Sequence, residues 1–167
     1  MDLFRFFEWL GNTSWSIALH ESRYVFLLVL MIHVLTVSVF VGTALMIDLR
    51  LLGKTMTDVP VSQVIARLVP WSEAGFLVMV VTGSLLFYAS PLARYENVFF
   101  RLKMAALVMA ILNAWVFRRT AYRRVAEWDL DPVPPRGVRV TGALSLTLLA
   151  FIITTGRMMA YSAYWFG

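Results

Sequence analysis

Few side chains in this 167-residue chain can do redox or metal chemistry. There are two histidines, His20 and His33, nine methionines and no cysteine. The missing cysteine excludes disulfides, thiolate metal sites, iron–sulfur ligation and covalent c-type haem attachment. His33 stands inside the run from Tyr24 to Ile47, which carries no fixed charge. That run exceeds the roughly 20 residues a helix needs to cross a hydrocarbon core. An ionisable group so placed is costly unless it faces protein, and by default it raises a functional hypothesis. Imidazole is suited to ligate iron. Cations nearby would neutralise the acidic edge of a flat cofactor such as haem b. Lys103 and Arg157 are the candidate cations, with His20, Tyr88 and Tyr161 expected at the same mouth.

The ligand set is incomplete in one chain. No second deep histidine exists, which leaves Met79 and Met109 as candidate thioether ligands, or His33 of a second copy. A second reading of His33 stays open, in which it is hydrogen-bonded to a neighbouring helix with Thr36 and Thr43 on the same side of its own. Lys103 and Arg157 have a corresponding alternative as anchors in lipid headgroups. A lipid or a quinone is the other occupant such a mouth would accept. The chain offers no nucleophile–base pair, paired carboxylates, metal-ligand spacing or phosphate loop, so catalysis by side chains alone is disfavoured.

These residues are positioned by apolar helices. Sixty per cent hydrophobic residues in so short a chain predict an all-α, single-domain integral membrane protein, a four-helix bundle with an interfacial N-terminal segment. Spans are predicted over about 24–48, 72–90, 97–118 and 138–160. Leu3, Phe4, Phe7, Leu10, Trp15 and Leu19 among polar neighbours predict an interfacial segment over about 2–19, broken at Gly11. Val61, Val64, Ile65 and Leu68 predict a second surface helix over about 59–69 that Pro70 ends, with Ser72 as the cap of span two. Asp48 and Arg50 are expected to pair where span one ends. In span three, Ala106, Ala110 and Ala114 mark an inward face that includes Lys103. In span four, Ala143, Ala150 and Thr154 predict an inward face carrying Arg157 and Tyr161. Asn113 is expected to form an interhelical hydrogen bond.

The net charge of +5 does not point to nucleic acid, because the arginines cluster beside apolar spans. Nine of the fifteen lysines and arginines lie between spans one and two or between spans three and four. The positive-inside rule puts both connections in the cytoplasm and both termini in the periplasm. The N-terminus lacks a basic region followed by an apolar core and a small-residue site, so a cleaved signal peptide is not expected. His20, Glu21, Lys103, Arg157, Tyr88 and Tyr161 then fall at the periplasmic face, with His33 about 13 to 15 Å deeper.

At DLRLLG, PWSEAGFLVMVVTGSLLFYASP, NVFFRLKMAALVMAILNAWVF and GRMMAY the chain resembles an uncharacterised family of small four-helix bacterial inner-membrane proteins, a domain of unknown function. The resemblance covers nearly the whole chain and implies the fold, with no reaction attached. More loosely, a histidine in span one followed by small residues is similar in layout to copper-resistance membrane proteins and the membrane protoporphyrinogen oxidase. Three functions are thus expected in turn: a cofactor-binding electron-transfer subunit; an accessory subunit packed on a larger membrane complex or on a second copy; and, less favoured without an internal repeat or broken helix, a transporter of a small solute or metal.

Overall fold

The computed structural model describes residues 3–162 and 164. Asp2, at the edge of the predicted interfacial segment, lies outside them. Among the described residues the fold is all-α. Two short helices, α1 (Leu3–Gly11) and α2 (Ser14–Glu21), precede the long α3 (Arg23–Leu51). Then come α4 (Val61–Tyr88), the short α5 (Pro91–Glu96), α6 (Val98–Arg119), a 3-10 segment (Tyr122–Glu127), α7 (Arg136–Met158) and a closing 3-10 turn (Met159–Tyr161). The helices α3, α4, α6 and α7 are each long and apolar enough to span a membrane. Their mid-length side chains stay largely uncovered, including Leu28, Val34, Leu77, Val108 and Leu112, as expected where lipid is the solvent.

Local sequence explains the helix starts. Thr13 caps α2 through the Ser16 N–H, and Ser22 caps α3 through the Val25 N–H. Asn97 Oδ1 accepts from the N–H groups of Phe99 and Phe100 and starts α6. The α4 start is capped from elsewhere: Asp129 accepts the Ser62 N–H at 2.7 Å and its hydroxyl at 2.6 Å.

Four local expectations are corrected. Pro70 does not end a surface helix; it lies inside α4, which runs unbroken through the predicted 59–69 segment and span two. Proline removes one hydrogen bond one turn back, and neighbouring packing supports the helix across that gap. Ser72 is accordingly mid-helix and caps nothing. Asp48 and Arg50 do not pair, because residues two apart on a helix point to different sides. Finally, the face of α7 turned to the bundle is built on Val138, Gly142, Leu149 and Thr155, while Ala143, Ala150 and Thr154 are exposed. Gly142 favours that rotation: a Cβ there would sit 3.1 Å from the Asp48 carbonyl oxygen and 3.2 Å from Leu51 Cβ, tight enough that the neighbours would have to give way.

The order of packing is α4 on α3, α3 on α7, and α7 on α6. The buried apolar cluster lies at one end, where Leu51, Val61, Ile65, Phe117, Trp128 and Val138 meet under the connections 52–60 and 120–135. We call this the loop end. The other end carries α1, α2 and α5, with α1 against α5 and α2 against α3.

Candidate functional site

His33 lies ten residues into α3, about 15 Å from its start at the helical rise. Its Nδ1 is 2.8 Å from Thr82 Oγ1 on α4. The hydroxyl of Thr82 donates its one proton to its own helix, at 2.7 Å from the Val78 carbonyl, so toward His33 it acts as acceptor. With the ring proton on Nδ1, the lone pair is left on Nε2. The Met79 carbonyl also faces the ring. Gly83 makes the approach of α3 and α4 feasible, since a Cβ there would stand 3.3 Å from His33 Cε1.

Two cations gather on the far side. Lys103 on α6 is partly buried along α7, its Nζ 3.6 Å from the place a Cβ of Gly156 would take. Its charge acts on His33, and that of Arg94 on α5 acts on Lys103. Burial pulls the Arg94 guanidinium below its ordinary value, yet an arginine stays charged throughout the physiological range. Among the described residues neither Lys103 nor Arg94 has an ion pair or a side-chain hydrogen bond. A half-buried cation without a counter-charge is costly, and here two of them share one end of the bundle.

Beside them, α4 and α6 are bridged by long side chains: Phe87 stacks on Phe100 with ring centroids 5.4 Å apart toward the α1–α2 end, and Glu73 pairs with Arg118 toward the loop end. His33 and Lys103 lie between these bridges.

The other residues singled out from sequence go elsewhere. Arg157 is exposed and turns to Tyr161, donating from Nη2 to its hydroxyl at 2.8 Å and standing over its ring. It sits one residue, about 100°, past Gly156, so the rotation of α7 that turns Gly156 toward Lys103 carries Arg157 outward. Tyr88 fastens the N-terminal helices: its hydroxyl meets Thr13 Oγ1 at 2.7 Å and its carbonyl accepts from Ser16 Oγ at 2.7 Å. His20 pairs with Ser90 at 3.0 Å in the same region. Met109 is 53% exposed, facing away from the bundle, because the inward line of α6 runs through Lys103, Ala106, Ala110, Asn113 and Phe117, which also leaves Ala114, expected inward, exposed. Met79 is half-buried and shares the helical face of Thr82 and Gly83. Thr36 and Thr43 bond to carbonyls of their own helix. Asn113 makes the expected interhelical bond, donating to the Thr141 carbonyl at 3.1 Å. Arg94 was missed because it follows Pro91 in a short connection, where an arginine reads as a headgroup contact; Thr82 was missed because one span does not reveal which residue of the next will face it.

Fold and site together define a multi-pass α-helical membrane protein that holds a histidine and two unpaired cations between its helices. The chain belongs to a family of unknown function, DUF6644, whose model matches residues 6–162. No curated protein and no solved structure matches it.

Proposed function

We propose that this protein is an electron-transfer subunit of a bacterial inner membrane, with its loop end in the cytoplasm and its termini in the periplasm, that binds haem b or a similar flat cofactor with an acidic edge. The observation that carries the reading is the pairing of a histidine whose Nδ1 is engaged by Thr82 with two half-buried cations that have no counter-charge. The donor set fits the group. His33 Nε2 keeps the lone pair a metal ligand needs, and a hydrogen bond at the other ring nitrogen is the usual device for orienting such a ligand. Lys103 and Arg94 would neutralise the propionates. Haem would supply one-electron chemistry; the chain's own residues would hold it, orient it and offset its charge. Met79 or a residue of a second copy would supply any further ligand.

Reduced-minus-oxidised spectra of protein purified after expression with ample haem supply test this. A b-type band that disappears in His33→Ala is the expected result. No band in the wild type, or an unchanged band in His33→Ala, overturns it.

A second reading, an accessory subunit on a larger membrane complex, is favoured by one observation on α3. Gly42 has no neighbouring atom within 4 Å of where a Cβ would be, and Ser38 one turn before it is also exposed. Small residues on an outward face leave room for another helix. Gly42→Leu would then release a partner that co-purifies with the wild type in mild detergent; a protein that runs alone as a monomer counts against it.

A further inference from the structure

A cavity of about 600 Å³ opens at the α1–α2 end, between the N-terminal helices and the turn joining α4 to α5. That volume lies in the range of small-molecule sites. We infer that it is a binding site for an amphipathic ammonium, a primary or quaternary amine joined to an apolar body.

The walls are held in place before any ligand arrives. Ser16 is buried and donates to the Tyr88 carbonyl, Thr13 meets the Tyr88 hydroxyl, and His20 meets Ser90. Gly11 rests over Pro91, where a Cβ would contact the proline ring at 3.4 Å. Phe7 packs edge-on to Phe87 with centroids 5.6 Å apart and lies 4.8 Å from Tyr95. The chain thus makes six separate contacts across this gap and still leaves it open, so ligand binding would require little reordering.

The lining sets the ligand's chemistry. Phe7, Ile17, Pro91 and Leu92 supply an apolar surface, and Glu8 and Glu21 supply carboxylates with Asn12 beside them. No lysine or arginine lines the cavity, although the chain carries 15 of them against 10 acids. The negative charge is therefore local to this cavity and runs against that of the whole protein. Its position suits an amphiphile: Trp9 and Trp15 on α1 and α2 are exposed, as aromatic side chains are at the headgroup level. A cation there meets carboxylates at the rim and buries its apolar part below. The site is separate from His33 and Lys103, and the inference does not depend on a cofactor.

The test uses the full chain in an uncharged maltoside detergent. Binding of 2-phenylethylammonium is measured by calorimetry beside 2-phenylethanol, which has the same shape without the charge. Short-chain phosphatidylethanolamine and phosphatidylglycerol are run in parallel. The ammonium is expected to bind about tenfold more tightly than the alcohol, the discrimination a pair of partly solvated carboxylates would give. The double variant Glu8→Gln/Glu21→Gln should erase that preference while folding normally, since both side chains are exposed. Ile17→Trp should fill the cavity and weaken both probes, and His33→Ala should change neither. Competition by phosphatidylethanolamine would identify a lipid headgroup as the natural source; binding of the free amine alone would identify a soluble one. Equal affinity for amine and alcohol, a preference that survives the double variant, or tighter binding of phosphatidylglycerol would each overturn the proposal.

Discussion

The same four helices treat charge in opposite ways at their two ends. At the loop end Arg50 is fully buried, but its Nε donates to the Val59 carbonyl at 2.9 Å and its Nη2 to the Asp131 carbonyl at 3.3 Å. Asp58, Asp129 and Asp131 stand close enough to act on its charge. That arginine joins two connections that are otherwise remote in sequence. Toward the α1–α2 end, Lys103 and Arg94 are partly buried with no acid paired to either among the described residues. A cation that holds a fold together finds carbonyl acceptors within the chain and acids near enough to offset its charge, although none of them pairs with it directly. One left without them is placed for something outside it, and this contrast separates structural from ligand-directed charge here better than burial does.

The largest effect should come from the loop end. Arg50→Ala strips two carbonyls of their donor and leaves three acids without a buried counter-charge, a loss of about 3–5 kcal/mol. Unfolding followed by tryptophan fluorescence in mixed micelles would measure it, with Trp128 in the affected cluster as a natural reporter. A loss below about 1 kcal/mol would mean the arginine is no more structural than a surface charge, and the comparison of the two ends would fail.

Gly53→Ala should follow at about 1–3 kcal/mol. Its φ is +67°, a left-handed conformation disfavoured for residues with a Cβ, and that Cβ would stand 2.8 Å from the Pro132 carbonyl oxygen. The substitution therefore pushes the connection after α3 against the one before α7. Unfolding should steepen in temperature dependence at the loop end while the His20 and Ser90 region stays unchanged, which hydrogen exchange would resolve by segment.

At about 1–2 kcal/mol stands Asp129→Ala, which uncaps α4 at Ser62. Fraying of the first turn of α4, seen as faster exchange at residues 61–65 without a change near Tyr88, is the expected signature. This cap also illustrates what the sequence hid. The spans were legible because hydropathy and length are properties of one segment, and the break near Gly11 was legible because a glycine inside a helical pattern is a local signal. The cap on α4 comes from 67 residues away, and no local pattern announces it. Pro70 misled for the reverse reason, since a rule about isolated helices was applied to one supported along its length by α3. The face of α7 was misread by one residue because alanines were weighed above glycines, although the closest approach is set by Gly142. That single step carries Arg157 out of the candidate site. His33 and Lys103 were legible as types out of place in apolar spans; that Thr82 and Gly83 receive the imidazole depends on the relative rotation of α3 and α4, which one helix does not encode.

Thr82→Val is isosteric and leaves the His33 Nδ1–H without its acceptor, at a cost of about 1–2 kcal/mol in stability. If His33 ligates a cofactor, the same change should weaken retention by about 10–100-fold by freeing the ring. Thr82→Ser should restore both, because it keeps the oxygen. A retention loss that serine does not rescue would assign the effect to packing against Gly83.

The smallest stability effect is expected at Lys103, and it bears most directly on the contrast between the ends. Lys103→Met keeps the length of a stem that packs beside Gly156 and removes only the charge. With no acid paired to it, the protein without ligand should lose nothing and should gain up to about 1 kcal/mol, since a partly buried cation is exchanged for a thioether. An acidic-edged ligand should then be held more weakly, and Lys103→Arg, which preserves the charge, should bind better than Lys103→Met. Opposite signs for stability and binding are what a ligand-directed cation produces. A structural cation such as Arg50 cannot give them, because removing it lowers both, so a Lys103→Met protein that is itself destabilised by 2 kcal/mol or more, on the order of a lost buried charge contact, would place Lys103 with Arg50 and leave Arg94 alone to meet the ligand.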